Sequence, residues 1–218
     1  MSVFQYDPSL AKNWSQAVVN YLDGDGESVR VCSQKFSQQM EVLVQPNVWT
    51  GSAAYQNYQN FMETHNAMIK FINQFGMAFE EAMRSVTASI QELEVSNLGK
   101  NTNVSSTFGT LSYQQISELA EANINQDHVT YDYAQIMTIG ENLKAIRSSL
   151  DSVVSSLKSK INELASGAGI WEGDAATSAR ENLLATIEKN MPEIISALEK
   201  CDQNIALAGQ NAQAADRG

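Results

Sequence analysis

The sequence contains few of the residues that interrupt helices or cross-link a chain. Its 218 residues include three prolines, twelve glycines and two cysteines. Proline and glycine are the residue types that most disfavour a helix interior, so their scarcity allows long uninterrupted helices. The spacing of Cys32 and Cys201 matches neither a disulfide framework nor a zinc site. We therefore expect two buried or half-buried thiols, no metal ion and no other cofactor.

Basic residues are scarce as well, because 14 Lys and Arg stand against 25 Asp and Glu and give a net charge of −11. Binding of nucleic acid requires an excess of cations that neutralise phosphates, so we expect none. No apolar run reaches the length of a membrane span, and we expect no membrane binding. The first residues, MSVFQYDPSLAKNW, contain neither the basic region nor the apolar region that marks a secretory signal peptide. Taken alone, these absences indicate a cytosolic protein.

Apolar residues recur every three or four positions along most of the chain, as they do on one face of an α-helix. The first such stretch starts at Asp7-Pro8, a capping residue followed by a proline suited to the first helical position. We predict one helix there, with a kinked middle at YLDGDGESVR and an end near Gln45. The longest stretch then predicts a single helix from about Ser52 to Val95.

The helical period disappears after this helix and returns in the second half of the chain. Residues 96–112 are rich in Asn, Ser, Thr and Gly, which predicts a linker, and we expect a short helix over residues 113–122. Two more helices are predicted, from about Gln135 to Leu164 and from about Ala176 to Ala208, the second with a kink near Pro192. The predicted units are a first helical hairpin (1–95), a linker with the short helix (96–134) and a second helical hairpin (135–218).

One short motif occurs at both hairpin reversals, as VWTGSAA in the first half and IWEGDAA in the second. Glycine adopts backbone angles that other residues avoid, and serine or aspartate caps the following helix. Tryptophan packs its apolar face over the end of a bundle and leaves its indole N–H available to a partner. Such a corner needs no ligand. The predicted corner residues are Trp49, Gly51, Ser52, Trp171, Gly173 and Asp174.

For each of the other candidate sites, the sequence favours a structural role over a functional one. Asp23–Glu27 resembles the start of a calcium loop, but Ser28 stands where that loop requires glycine and Gln34 where it requires glutamate. A helix break softened by glycine is therefore favoured. His65 falls on the apolar stripe and His128 in a predicted loop, neither at the spacing of a metal site or catalytic triad. No phosphate loop or nucleophile elbow is found, so we predict that the protein is not an enzyme.

A hydrophobe–Trp-x-Gly corner between two long helices resembles the WXG family of small helical proteins associated with bacterial type VII (ESX) secretion. The resemblance covers residues 8–95 and 135–208, so the chain looks like a tandem member. Single-copy members pair into four-helix bundles, because one hairpin leaves an apolar face uncovered. We therefore expect an all-α fold in which the two hairpins form an intramolecular four-helix bundle, a pseudo-dimer that is monomeric in solution.

The same resemblance implies a non-catalytic protein of a Gram-positive bacterium, either an exported substrate or an escort or adaptor. It would be made in the cytoplasm and secreted without a cleavable signal peptide, or held at the cell surface. Its partners would be the ATPase or another component of the secretion apparatus, or a cognate helical partner or effector. The family's accompanying Tyr-x-x-x-Asp/Glu pattern is matched only by Tyr21 and Asp25, inside the first hairpin. The alternative is a cytoplasmic coiled-coil interaction protein that is not secreted.

Overall fold

The computed structural model describes residues 5–98 and 122–216, and most of these residues are helical. The helical-bundle architecture expected from the sequence is confirmed. The short helix expected over residues 113–122 lies almost wholly outside the described residues. The elements in chain order are β1 (Gln5–Tyr6), α1 (Pro8–Asp23), α2 (Val29–Leu43), α3 (Ser52–Leu98), α4 (Tyr133–Ile161), β2 (Trp171–Glu172) and α5 (Asp174–Asp216).

The helices that open the two hairpins, α1 and α4, are each capped by an aspartate. The Asp7 carboxylate accepts hydrogen bonds from the backbone N–H groups of Ser9 (2.8 Å) and Leu10 (2.9 Å), and Pro8 occupies the first helical position. The predicted start of the first helix is confirmed. Asp132 caps α4 in the same way, accepting from the backbone N–H of Gln135 at 3.0 Å. That hydrogen bond is the main reason why the pKa of Asp132 lies below its usual value.

The prediction of one kinked helix in the first 45 residues is wrong, since α1 and α2 are separate helices joined by residues 24–28. The Arg30 side chain, only 7% exposed, folds over this connection. Its Nε lies 2.8 Å from an Asp23 carboxylate oxygen and its Nη2 lies 2.6 Å from one of Asp25. Ser28 then caps α2. The carboxylates that resembled a calcium loop thus bind an arginine of their own chain.

The longest helices, α3 and α5, lie side by side. At about 1.5 Å per residue, the 47 residues of α3 span about 70 Å. Helix α5 continues uninterrupted through Pro192, the position at which we expected a kink. Among residues 5–98 and 122–216, no helix combines the length and the hydropathy needed to cross a membrane.

The two hairpins pack against each other through both of their helices. Helix α3 of the first hairpin contacts α5 of the second, and helices α1 and α2 of the first hairpin contact α4 of the second. The packing is antiparallel, with the indole N–H of Trp14 donating to the carbonyl of Lys160 at 2.7 Å. Both cysteines are buried and unpaired, as predicted. Fully buried large side chains form the core, among them Trp171, Phe36, Phe61, Phe71, Phe75, Phe79, Met40 and Met68.

Candidate functional site

The two Trp-x-Gly corners reverse the chain with the same backbone geometry. Gly51 has φ of +103° and Gly173 has φ of +115°, a region that strongly favours glycine. The carbonyl of each glycine accepts the first hydrogen bond of the following helix, at 3.1 and 3.0 Å. Glycine is therefore the capping residue. Ser52 and Asp174, which we expected to cap, are instead the first residues of α3 and α5.

The two corner tryptophans are buried. Trp49 is 3% exposed and Trp171 is 1% exposed. Each ring closes one end of the bundle core, because the two corners lie at opposite ends of the antiparallel helices. We expected the indole N–H to be available to a partner. That of Trp171 is buried and has no hydrogen-bond partner among the described residues.

Each tryptophan is paired with a short segment that directly precedes the first helix of the opposite hairpin. At the first corner, Trp49 forms an antiparallel bridge with Tyr131, and their rings meet edge to face with centroids 5.7 Å apart. At the second corner, β1 pairs with β2 and places Tyr6 opposite Trp171. We call residues 5–7 the first arm and residues 130–132 the second arm.

The arms show that the internal repeat is longer than the sequence analysis assumed. Each repeat begins with Tyr-Asp, in which the tyrosine pairs with a corner tryptophan and the aspartate caps the next helix. The arm of each repeat occupies the corner of the other, so the docking is reciprocal. The signal was present in the sequence, because Tyr-Asp occurs only at Tyr6-Asp7 and Tyr131-Asp132. We missed it because a dipeptide is too short to show the apolar periodicity from which the helices were predicted.

The first corner holds its arm with several hydrogen bonds, and Thr50 is central to them. Its hydroxyl donates to the carbonyl of His128 at 2.6 Å and accepts from the backbone N–H of Thr130 at 2.8 Å. The backbone N–H of Thr50 donates to the carbonyl of Thr130 at 3.0 Å, and that of Gly51 to the carbonyl of Asn125 at 2.8 Å. The loop before α4 is thereby fixed to the corner.

The second corner holds its arm in a different way. Glu172 takes the place of Thr50 in the motif, but its carboxylate turns back and accepts from the backbone N–H groups of Gly167 (2.9 Å) and Gly169 (3.1 Å) in its own loop. Beyond the two-residue ladder, the backbone N–H of Asp7 donates to the carbonyl of Ile170 at 3.2 Å. The residue between Trp and Gly thus distinguishes the two corners.

The face formed by α3 and α5 contains two open clefts, of about 460 and 540 Å³. Their walls combine small residues with amide and charged side chains. In the first cleft, the Cys201 thiol lies 3.7 Å from the Thr64 hydroxyl, and burial raises the pKa of this thiol to about 12. A thiol with so high a pKa is a poor nucleophile at neutral pH. At neutral pH the Cys201 thiol in the first cleft is therefore protonated.

The two histidines that we considered play structural roles. His65 is fully buried in α3 and stacks on the ring of Phe36, with centroids 6.4 Å apart. Burial lowers the pKa of His65. His128 lies in the loop before α4, where its carbonyl accepts the Thr50 hydroxyl. In the part of the chain that the structure describes, no group of three or more His, Cys, Asp or Glu side chains could hold a metal ion.

Comparison with known proteins gives a match to a family model. The family model WXG100, described as proteins of 100 residues with WXG, matches residues 128–217, which include the second arm, α4, the Trp171 corner and α5. No curated protein and no solved structure shows significant similarity to the chain. The family consists of small helical proteins associated with type VII secretion, which leave the cell without signal peptides. The match and the geometry of the corner agree, and the hairpin of residues 128–217 is therefore a WXG-family hairpin.

Proposed function

We propose that the chain is a non-catalytic protein of a type VII secretion system in a Gram-positive bacterium, either exported itself or acting as an escort or adaptor. The observation that carries this proposal is the doubled corner. The second corner lies in the segment that matches the family, and the first repeats its positive-φ glycine and its buried tryptophan. Two such corners at opposite ends of one bundle resemble a pair of single hairpins joined in one chain.

The proposal includes the route and the partners. The chain is made in the cytoplasm and leaves without a cleavable signal peptide, or stays at the cell surface. It contacts the ATPase of the apparatus or a cognate helical partner, and the face of α3 and α5 with its two clefts is the helical face that it presents. The residues proposed as the secretion motif are Trp49, Gly51, Ser52, Trp171, Gly173 and Asp174.

The test is to delete the gene for the apparatus ATPase in the producing bacterium and to compare the chain in cells and in culture supernatant. For an exported substrate, we expect the extracellular chain to disappear and the cellular amount to rise, with a cytoplasmic marker protein as the control for lysis. For an escort, the chain stays in the cell and a second protein disappears from the supernatant. Unchanged extracellular levels of all proteins would refute the proposal and favour the cytoplasmic interaction protein.

Trp49→Phe and Trp171→Phe, made separately, show which corner the apparatus requires. Phenylalanine keeps most of the buried apolar surface and removes the indole N–H, so the folded bundle is better preserved than with alanine. We expect at least one variant to accumulate normally in cells and to be reduced in the supernatant. Normal export of both variants would show that neither indole group is needed.

A further inference from the structure

We propose that the Trp171 corner is a docking site for an extended segment of a partner chain, and that the first arm fills this site in cis. The segment that fits carries an aromatic residue directly followed by aspartate, and it adds to β2 as an antiparallel strand. This proposal concerns binding at one corner and goes beyond the proposed export role.

The chemistry of the occupant follows from the two arms themselves. Two segments far apart in the chain, Tyr6-Asp7 and Tyr131-Asp132, carry the same dipeptide and pair antiparallel with the two corner tryptophans. In both, the aspartate ends the extended segment by capping a helix. In strand addition, main-chain hydrogen bonds supply affinity and alternate side chains supply specificity. Both segments that occupy a corner therefore consist of an aromatic residue opposite the tryptophan, followed by an aspartate that starts a helix.

The first arm is the more easily exchanged of the two. At the first corner, the Thr50 hydroxyl adds two hydrogen bonds that fix the second arm. At the second corner, the Glu172 carboxylate accepts its hydrogen bonds from backbone N–H groups of its own loop. The first arm pairs over two residues and the second arm over one, and Gln5 of the first arm is exposed. Ladders this short are among the elements that open first in local unfolding, so the hydrogen bonds of Thr50, and not the ladder length, distinguish the two arms.

The loop beside the second corner lies close to the first arm. Gly169 has φ of +76°, and a Cβ atom at this position would lie 3.1 Å from the side-chain nitrogen of Gln5. A side chain there would therefore press on the occupant of the site. Glycine leaves the approach open to a segment with a different residue at the place of Gln5.

The present occupant also leaves a buried donor unused. The indole N–H of Trp171, in a side chain that is 1% exposed, has no acceptor among the described residues. Buried donors normally have partners, and an unpaired one costs free energy. A segment that places an oxygen near this N–H binds the corner better than the first arm does.

The test uses the full-length chain and a fluorescein-labelled peptide of residues 5–12, QYDPSLAK. Tyr6→Ala weakens the first arm and leaves the corner intact. By fluorescence anisotropy, we expect this variant to bind the peptide at least tenfold more tightly than the unaltered chain, because less of the cis arm competes. A peptide in which Ala-Ala replaces Tyr-Asp should not bind. Tyr131→Ala is the matched control, and we expect no gain in peptide binding from it because Thr50 still holds the second arm.

Indole resonances locate the binding. The chain has three tryptophans, so the ¹⁵N-tryptophan-labelled protein gives three indole N–H signals, which can be assigned with single Trp→Phe variants. We expect the peptide to shift the Trp171 signal and to leave those of Trp14 and Trp49 in place. The proposal is overturned if the folded Tyr6→Ala variant does not bind the peptide, or if binding shifts only the other signals. Binding is measured on purified protein, so this proposal and the export proposal can fail separately.

Discussion

Gly51 shows how a single residue determines the shape of a corner. Its φ of +103° disfavours any side chain, and a Cβ atom there would lie 3.2 Å from the Cγ2 of Val129. We expect Gly51→Ala to lower the free energy of unfolding by about 1–3 kcal/mol, because it adds backbone strain and a close contact. Urea denaturation followed by circular dichroism measures the change.

Substitutions at two other glycines distinguish the cost of the backbone strain from the cost of the close contact. Gly167 also has a positive φ, of +85°, but nothing lies within 4 Å of its Cβ position, so Gly167→Ala measures the strain alone. Gly26 has neither a positive φ nor a neighbour within 4 Å. We expect the loss of stability to increase in the order Gly26→Ala, Gly167→Ala, Gly51→Ala. A different order would mean that the corner tolerates a side chain.

His65 gives the bundle a dependence on pH. Burial lowers the folded-state pKa of His65 below 6.5, so protons bind the unfolded chain more readily than the folded one. The contribution of His65 to stability is therefore largest above pH 6.5, and it falls as the pH decreases from there to the depressed folded-state pKa. We expect His65→Leu to be nearly independent of pH across that window, as measured by urea midpoints.

The control for this prediction is His128→Leu, a substitution at an exposed loop position that should keep the pH dependence of the unaltered chain. If His65→Leu and the unaltered chain lost stability equally with falling pH, the dependence would come from other groups. Both substitutions remove one imidazole, so the comparison isolates the effect of burial.

At the scale of elements, the helices could be predicted because their apolar residues keep one period over many turns. The break between α1 and α2 could not be predicted, because two glycines in a helical pattern are compatible with a bend and with the end of a helix. The structure stops it with the Ser28 cap and the buried Arg30, whose partners are visible only in three dimensions. The corner residues were predicted from their repeat. Their pairing with β1 and Tyr131 was not, because it joins segments far apart in the chain.

The hydroxyl of Thr50 is expected to hold the second arm in place. Thr50→Val keeps the shape of the side chain but removes the hydrogen bonds to His128 and Thr130. We expect a loss of about 1–3 kcal/mol, because the partners are left unpaired in a largely buried site. Hydrogen exchange should show faster exchange of the Thr130 amide and unchanged exchange within α2. Thr186→Val, which removes a bond within an exposed helical turn, is the control and should have a small effect.

Pro192 weakens α5 from within. It lies inside the helix with its ring exposed, and it cannot donate a hydrogen bond to the carbonyl of Glu188. We expect Pro192→Ala to raise the free energy of unfolding by about 1–2 kcal/mol. This is less than the cost of a proline inside a helix, because the substitution also increases the conformational entropy of the unfolded chain. Pro8→Ala, at a first helical position where no donor is needed, should not stabilise. Equal effects of the two substitutions would contradict this explanation.

At the scale of the whole molecule, the reciprocal arms make each hairpin depend on the other. The first hairpin supplies the segment that pairs with Trp171, and the second supplies the segment that pairs with Trp49. The apolar stripes of α3 and α5 are buried in the bundle, where these two helices lie side by side. A hairpin on its own would lack both the cover for its stripe and the partner of its tryptophan. The two halves should therefore unfold together and not one after the other.

One chain thus contains both halves of an interface that would otherwise require two molecules, and we expect it to be monomeric. Sedimentation equilibrium should give the mass of one chain, 23.9 kDa. The stability of an obligate dimer rises with protein concentration by mass action, whereas that of a monomer does not. Urea midpoints measured at two protein concentrations a hundredfold apart should therefore coincide. A midpoint that rises with concentration, together with a doubled mass, would show that the hairpins pair between chains and that the reciprocal arms are exchanged.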